Sequence, residues 1–271
     1  MSYKIGFLKL RVSVEEGSKK EKIIKNIIKI EESIKRFFAQ FLKKIKHRVL
    51  INSQRFYFYD IIFSRAYMWI VEEMEKDCYG LSKIDFKKND IVIDIGANIG
   101  IVSIYLAKKY PFLKIYSFEP FKVNYESFIK NIKANQIPEG IINPFNMAVT
   151  KDGRNIVMKT VDVLNSGSFT VDFQKDKVDL NCKDIVQSTT LDNIIETVLA
   201  ANEQNHIKLL KMDCELSEYE ILKNTKIDNL KKISYLSAEF HEKKGFGNPK
   251  ALETYVKKYI PNLTITRCKI D

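Results

Sequence analysis

From Ile91 onward the chain alternates short apolar runs with amphipathic stretches of helical period. Ile91–Ile95 is almost wholly apolar and stops at Gly96, which predicts a buried strand. Gly100–Lys109 then predicts a helix, Lys114–Phe118 a second strand, and Pro120–Asn135 a helix with Pro120 in its first turn. Ile141–Val149 predicts a third strand. Residues 150–188 break the rhythm with short polar and β-branched pieces, including Asn165-Ser-Gly-Ser168, and read as an inserted hairpin or a loop. A helix near Thr190, a strand at Ile207–Met212, a helix at Ser217–Asn224 and a strand at Ile233–Phe240 restore it. A helix from Pro249 and a strand within Leu263–Cys268 complete the pattern. Strands alternating with helices predict an α/β fold, a mostly parallel Rossmann-like sheet with helices on both faces.

The N-terminal part has a different texture. Ile23, Ile27, Ile30, Ile34, Phe37, Phe41 and Ile45 follow steps of three and four, so residues 20–47 predict an amphipathic helix. Arg48-Val-Leu-Ile-Asn and Arg55-Phe-Tyr-Phe-Tyr around Ser53-Gln54 predict a hairpin, and a helix follows over Ser64 to Glu75. The division expected is a basic helical arm, 1–47, ahead of one domain, 48–271.

Charge sharpens this division. The chain carries a net +11, yet residues 1–50 hold fourteen Lys/Arg against five Asp/Glu, and the rest thirty-one against twenty-nine. The basicity belongs to the arm, whereas a nucleic-acid enzyme spreads it around its cleft. Three readings of the arm stay open: a helix packed on the domain, a homodimer contact, and an interfacial helix on an anionic membrane. Hydrophobic residues make up 45% of 271, ample for a core. The four cysteines are scattered without paired spacing, so neither a disulfide framework nor a zinc site is expected, and no metal is assigned. No signal peptide or spanning segment is read, which predicts a cytoplasmic protein.

The chemistry concentrates at strand ends, where an open parallel sheet binds its ligand. Asp94-Ile-Gly-Ala-Asn-Ile-Gly100 follows the first strand, and its glycines permit a tight turn and close ligand approach. The helix N-terminus after it offers N–H groups to a carboxylate. Glu119 ends the second strand, at the spacing of an acid that accepts ribose hydroxyls. Asp94 stands where a dinucleotide fingerprint has its first glycine. An acid there repels a pyrophosphate and suits the ammonium of a methionine moiety, leaving a nicotinamide dehydrogenase as the competing enzyme class. No GxxxxGK[ST] occurs. The expected cofactor contacts are Asp94, Gly96, Ala97, Asn98, Gly100, Glu119, Pro120 and Ala148.

Several segments in order carry a resemblance. Val92-Ile-Asp-Ile-Gly-Ala-Asn-Ile-Gly100, Tyr116-Ser-Phe-Glu-Pro120, Thr189-Thr-Leu-Asp192, Leu210-Lys-Met-Asp-Cys-Glu215 with Glu218-Tyr-Glu-Ile-Leu222, and Ala238-Glu-Phe-His241 resemble the FkbM-type methyltransferases over residues 48 to 245. The resemblance implies a class I methyltransferase fold, S-adenosyl-L-methionine as cofactor, and O-methylation of a glycan or small hydroxylated metabolite. Two departures stand out. Leu216 and Ser217 follow Glu215 where the family usually has glycine after that glutamate, and one strand follows Ile233–Phe240 where the fold normally adds an antiparallel pair.

Catalytic candidates lie at the fourth and fifth strand ends: Asp213, Glu215, Glu239 and His241. A free histidine has a pKa of about 6.5, which leaves it mostly neutral at pH 7 and suits it as a base. Asp213 and Glu215 share a face if the strand persists, and two close carboxylates serve as base or hold a cation. Glu239 and His241 share a face likewise, so a carboxylate can orient the imidazole. No [DN]-P-P-[FY] follows the fourth strand, which disfavours amino-group methylation. An RNA or protein methyltransferase, and a non-catalytic binding protein of this fold, remain as alternatives.

Overall fold

A computed structural model describes residues 2–5, 10–13, 17–24, 26, 27, 30, 44–61, 66–160, 169–171, 185–242 and 247–269. The chain opens with strands β1 (Ser2–Ile5) and β2 (Leu10–Ser13), then the hairpin β3 (Lys44–Ile51) and β4 (Gln54–Ile61) and helix α1 (Ala66–Glu75). The alternating part follows: β5 (Ile91–Ile95), α2 (Ile101–Lys109), β6 (Lys114–Phe118), α3 (Lys122–Ala134) and β7 (Ile142–Phe145). Short strands come next: β8 (Ala148–Val149), β9 (Ile156–Thr160), β10 (Phe169–Val171), β11 (Ile185–Val186) and β12 (Ser188–Thr189). The chain closes with α4 (Leu191–Asn202), β13 (Ile207–Met212), α5 (Glu218–Asn224), α6 (Ile227–Leu230), β14 (Ile233–Glu242), α7 (Pro249–Val256) and β15 (Asn262–Lys269).

Six strands form the central sheet in the order β15-β14-β13-β5-β6-β7, and every neighbouring pair is parallel. The mostly parallel α/β sheet read from the sequence is therefore present. Its edge differs from the family expectation: β15 lies parallel to β14, with Tyr235 opposite Asn262 and Glu242 opposite Lys269, in place of an antiparallel hairpin. Two apolar layers sandwich the sheet. Leu191, Ile194, Leu222, Leu252 and Val256 cover one face from α4, α5 and α7. Phe56, Phe58, Ile104, Leu106 and Phe128 cover the other from the hairpin, α2 and α3. The order reverses between β5 and β13, which opens the ligand crevice beyond their carboxyl ends.

The hairpin departs from its predicted bounds in two ways. Its turn is Asn52-Ser53, both with positive φ (49° and 65°), the twist-matched type for a two-residue connection. Its first strand begins at Lys44, so residues 44–47 continue a strand where the arm pattern predicted helix. The outer edge of β4 is satisfied by side chains of α3 and of its C-cap, Asn135. Tyr57 N donates to Asn135 Oδ1 (3.0 Å) and Tyr57 O accepts from Asn135 Nδ2 (2.6 Å), while Tyr59 N donates to Asn131 Oδ1 (2.6 Å). Asn131 Nδ2 also reaches Ile99 O (2.8 Å), so one helix ties the hairpin to the loop after β5.

Other bounds shift slightly. Helix α3 starts at Lys122 with Phe121 as its cap, which puts Pro120 before the helix rather than in its first turn. The predicted third strand is split into β7 and β8, and β8 pairs in parallel with β12. The interrupted region contains the antiparallel trio β10-β9-β11; Asn165–Ser168 lies outside the described residues. Of the arm, residues 19–24, 26, 27 and 30 are helical, with Ile24 buried and Ile23, Ile27 and Ile30 exposed; residues 31–43 lie outside the description. Among the described residues no helix is long and apolar enough to cross a membrane.

Candidate active site

The loop after β5 is held by its own amides. Gly96 N and Ala97 N both donate to Phe118 O (3.0 and 3.1 Å), and Gly100 N donates to Ala97 O (2.8 Å). Asn98, left-handed at φ 53°, donates its N–H to Glu119 Oε2 (2.8 Å), and Ile99 N donates to Asn98 Oδ1 (2.7 Å). All five N–H groups from 96 to 100 are thus committed within the protein. A pyrophosphate needs such groups free, so the loop suits a nucleoside without phosphates. Gly96 and Gly100 are required for different reasons. A Cβ at Gly96 would stand 1.8 Å from Asp213 O, and one at Gly100 would stand 1.9 Å from the Phe128 ring.

Glu119 is buried at the end of β6. Oε1 accepts from Phe121 N (2.9 Å) and Oε2 from Asn98 N, so both oxygens are fixed while each keeps a lone pair. Burial raises its carboxyl to about 7, against the pull of the two amides and of Lys211. Pro120 O and Glu119 O both accept from Asn146 Nδ2, and Ala148 is buried in β8.

Asp94 has a different role from the one its sequence position suggested. It is 1% exposed, below the loop. Ser103 Oγ donates to Oδ2 (2.6 Å), and Lys211 Nζ lies 3.2 Å from Oδ1. Lys211 also donates to Gly96 O (2.9 Å). Burial opposes the Lys211 charge, but Asp94 and Asp213 outweigh it and hold the lysine pKa above its ordinary value. Asp94 therefore anchors the loop through a buried ion pair. Lys211 was missed in the sequence; the signal was a lysine next to the apolar pair Leu209-Leu210 near the end of a central strand, where such a residue requires a buried partner.

Across the crevice the catalytic candidates meet. His241 is 4% exposed at the end of β14. Its Nε2 lies 3.9 Å from Asp213 Oδ1 and 3.8 Å from Glu215 Oε2. Asp213 and Glu215 converge through a turn rather than by strand alternation: β13 ends at Met212, and Glu215 and Leu216 take φ of 52° and 80°. The carboxylate on Nδ1 of the imidazole is Glu218, with Oε1 at 3.1 Å and also accepting from Cys214 N (3.0 Å), while Glu239 stands close by. Glu218 had registered only as part of a motif. Ligand atoms of Asp213, Glu239 and His241 all lie within 4.8 Å of one another. Burial would strip the His241 proton, but Glu218, then Glu215 and Asp213, hold it on the ring up to about 9. The shift is upward from the free imidazole value, which favours the protonated ring and makes it a weaker base than an unperturbed histidine. Burial also raises Asp213, and raises Glu215 to about 7.

Leu216 explains why a glycine is usual at its position. Its φ of 80° is left-handed, yet its side chain is 4% exposed in the core beneath α5. Reverting Leu216→Gly relieves about 1–2 kcal/mol of backbone strain but forfeits a buried leucine worth about 2–5 kcal/mol. Net destabilisation is expected in urea unfolding, and a more stable variant would reverse this ranking.

Known proteins bear on this geometry. The FkbM methyltransferase domain matches residues 94–260, more than half of the chain. Methyltransferase sdnD of Sordaria araneosa is 34% identical over 92 residues, covering 34% of this chain and 35% of that relative, so the match spans about a third of its length. The 31-O-demethyl-FK506 methyltransferase FkbM of Streptomyces tacrolimicus is 23% identical over 190 residues, 62% of this chain and 72% of that one. Among solved structures, M. jannaschii TYW2 in complex with AdoMet aligns with 38% of this chain and 43% of its own, at 24% identity and a TM-score of 0.27. Because the family match begins at Asp94 and runs through the loop, Glu119 and the acids around His241, the chain belongs to the FkbM methyltransferase family.

Proposed function

We propose that this protein transfers a methyl group from S-adenosylmethionine to a hydroxyl of a glycan or small metabolite. The observation that carries the reading is a shared wall: the Gly96 Cα packs against the Asp213 carbonyl, so the nucleoside loop and the acid cluster are in direct contact. The residues fit the donor. Glu119, fixed by two amides with a lone pair left on each oxygen, would hold the ribose hydroxyls, and the amide-poor loop would accept an uncharged nucleoside. The bound donor supplies a methyl group already activated on a sulfonium sulfur.

What the chain adds is alignment and a destination for the acceptor's proton. Glu215, with a carboxyl pKa of about 7, is matched to take that proton near neutral pH, with Asp213 beside it. In the metal-free protein the protonated ring of His241 stands between both carboxylates. The name 31-O-demethyl-FK506 methyltransferase, borne by one relative, favours an oxygen as acceptor here too.

Calorimetry with S-adenosylhomocysteine and with NAD tests the donor. Binding of NAD without S-adenosylhomocysteine would overturn the reading; labelled methyl transfer into glycan and metabolite fractions then identifies the acceptor. Glu119 adds a pH dependence. Ribose hydroxyls donate to the ionised carboxylate, so the proton held in the free protein must leave on binding. Affinity therefore rises with pH through 7, and S-adenosylhomocysteine should bind roughly tenfold more weakly at pH 6 than at pH 8. Glu119→Gln should weaken binding by about 1–3 kcal/mol and remove that slope; a wild-type affinity flat across this range would refute the ribose assignment.

A further inference from the structure

The acid cluster at the ends of β13 and β14 has a feature that proton transfer does not use. The His241 side chain is buried, and its Nδ1 faces Glu218 Oε1, a carboxylate with no exposed side-chain surface that is itself held by Cys214 N. This orients Nε2 toward Asp213 and Glu215 at 3.9 and 3.8 Å, too far for hydrogen bonds. Ligand atoms of Asp213, Glu239 and His241 lie within 4.8 Å of one another. Oxygen and nitrogen ligands at about 2.0–2.6 Å from a divalent ion stand that far apart across it. A ring nitrogen aimed among carboxylates, with the other nitrogen on a buried carboxylate, is also how metal-binding histidines are oriented.

We propose that Asp213, Glu239 and the Nε2 of His241 bind a hard divalent cation of the Mg²⁺ and Mn²⁺ class, the ion displacing the Nε2 proton to solvent while Nδ1 keeps its own toward Glu218, with Glu215 completing the shell and Glu218 positioning the imidazole. Carboxylate oxygens with a single imidazole select such ions over soft ones. The site stands on its own geometry; its use rests on the hydroxyl-acceptor reading, in which the ion would bind the acceptor oxygen and ease removal of its proton.

The test uses the full chain with S-adenosylhomocysteine, titrating Mn²⁺ and following the free-ion paramagnetic resonance signal. One equivalent of Mn²⁺ should bind, with His241→Gln and Glu239→Gln each weakening it at least tenfold, and Glu218→Gln by about 10- to 100-fold because the imidazole loses the carboxylate on its Nδ1. S-adenosylhomocysteine affinity should stay within about twofold in Glu239→Gln, whose partly exposed position keeps that variant informative if His241→Gln does not fold. No Mn²⁺ binding by the wild type, or binding unchanged in Glu239→Gln, overturns the site. If S-adenosylhomocysteine binds and Mn²⁺ does not, the cation site alone falls and the methyl-transfer reading stands.

Discussion

Lys211→Met is expected to destabilise the protein by about 3–5 kcal/mol, because it leaves Asp94 charged, buried and without a counter-ion. Methionine matches the length of lysine, so lost packing contributes little. Ser103 remains as a single hydrogen-bond donor to Oδ2, which does not replace a cation beside Oδ1. The same substitution frees the Gly96 carbonyl, so S-adenosylhomocysteine affinity should fall with stability. Adding Asp94→Asn removes the orphaned charge, and the double variant should recover most of the loss; this coupling separates a broken ion pair from generic damage. Urea unfolding of the four proteins in the cycle measures it. A single-variant loss below about 1 kcal/mol would mean that water or a neighbour compensates Asp94, and the anchoring role would be wrong.

Gly96→Ala carries the second large effect. The added Cβ would meet the Asp213 carbonyl oxygen at 1.8 Å and its carbon at 2.8 Å, both backbone atoms that cannot rotate away. Relief requires β5 and β13 to separate where Asp213 N donates to Ile95 O (3.1 Å). Left-handed strain of about 1–2 kcal/mol adds to overpacking of about 1–3 kcal/mol. Because the collision is shared by the nucleoside loop and the acid cluster, donor affinity and methyl transfer should fall together. Gly140→Ala is the matched control: its φ is 83°, but nothing lies within 4 Å of the added carbon, so only the backbone strain remains. Equal losses in the two variants would show that conformation alone, without the collision, sets the requirement for glycine at 96.

The parallel sheet was legible because its central strands are buried on both faces and so read as mainly apolar runs, as in Ile91–Ile95 and Ile207–Met212, each interrupted by few charged residues. The loop glycines and Glu119 were legible because spacing along one strand–helix–strand unit is local. What escaped the sequence was long-range pairing. Lys211 and Asp94 lie on adjacent strands, and no local pattern matches one to the other. Glu218 reaches His241 across 23 residues, a partner that its place at the head of Glu218-Tyr-Glu-Ile-Leu222 does not indicate. The direction of β15 was also out of reach, since one apolar run serves a parallel or an antiparallel edge. The protonation of His241 depends on three carboxylates brought together by the fold, and an unperturbed pKa could not foresee it.

The asparagines of α3 that seal the edge of β4 set an order of events in synthesis. A two-residue hairpin such as β3-β4 closes in about 1–10 μs, long before its neighbours exist. Its outer edge must then wait for Asn131 and Asn135, 72 and 78 residues later in the chain. At ribosomal rates of about 5–20 residues per second that delay is roughly 4 to 16 s. For that interval Tyr57 and Tyr59 present an unpaired strand edge open to other chains. Slower translation across residues 62–131 should therefore lower the soluble yield more than an equal delay placed after Asn135.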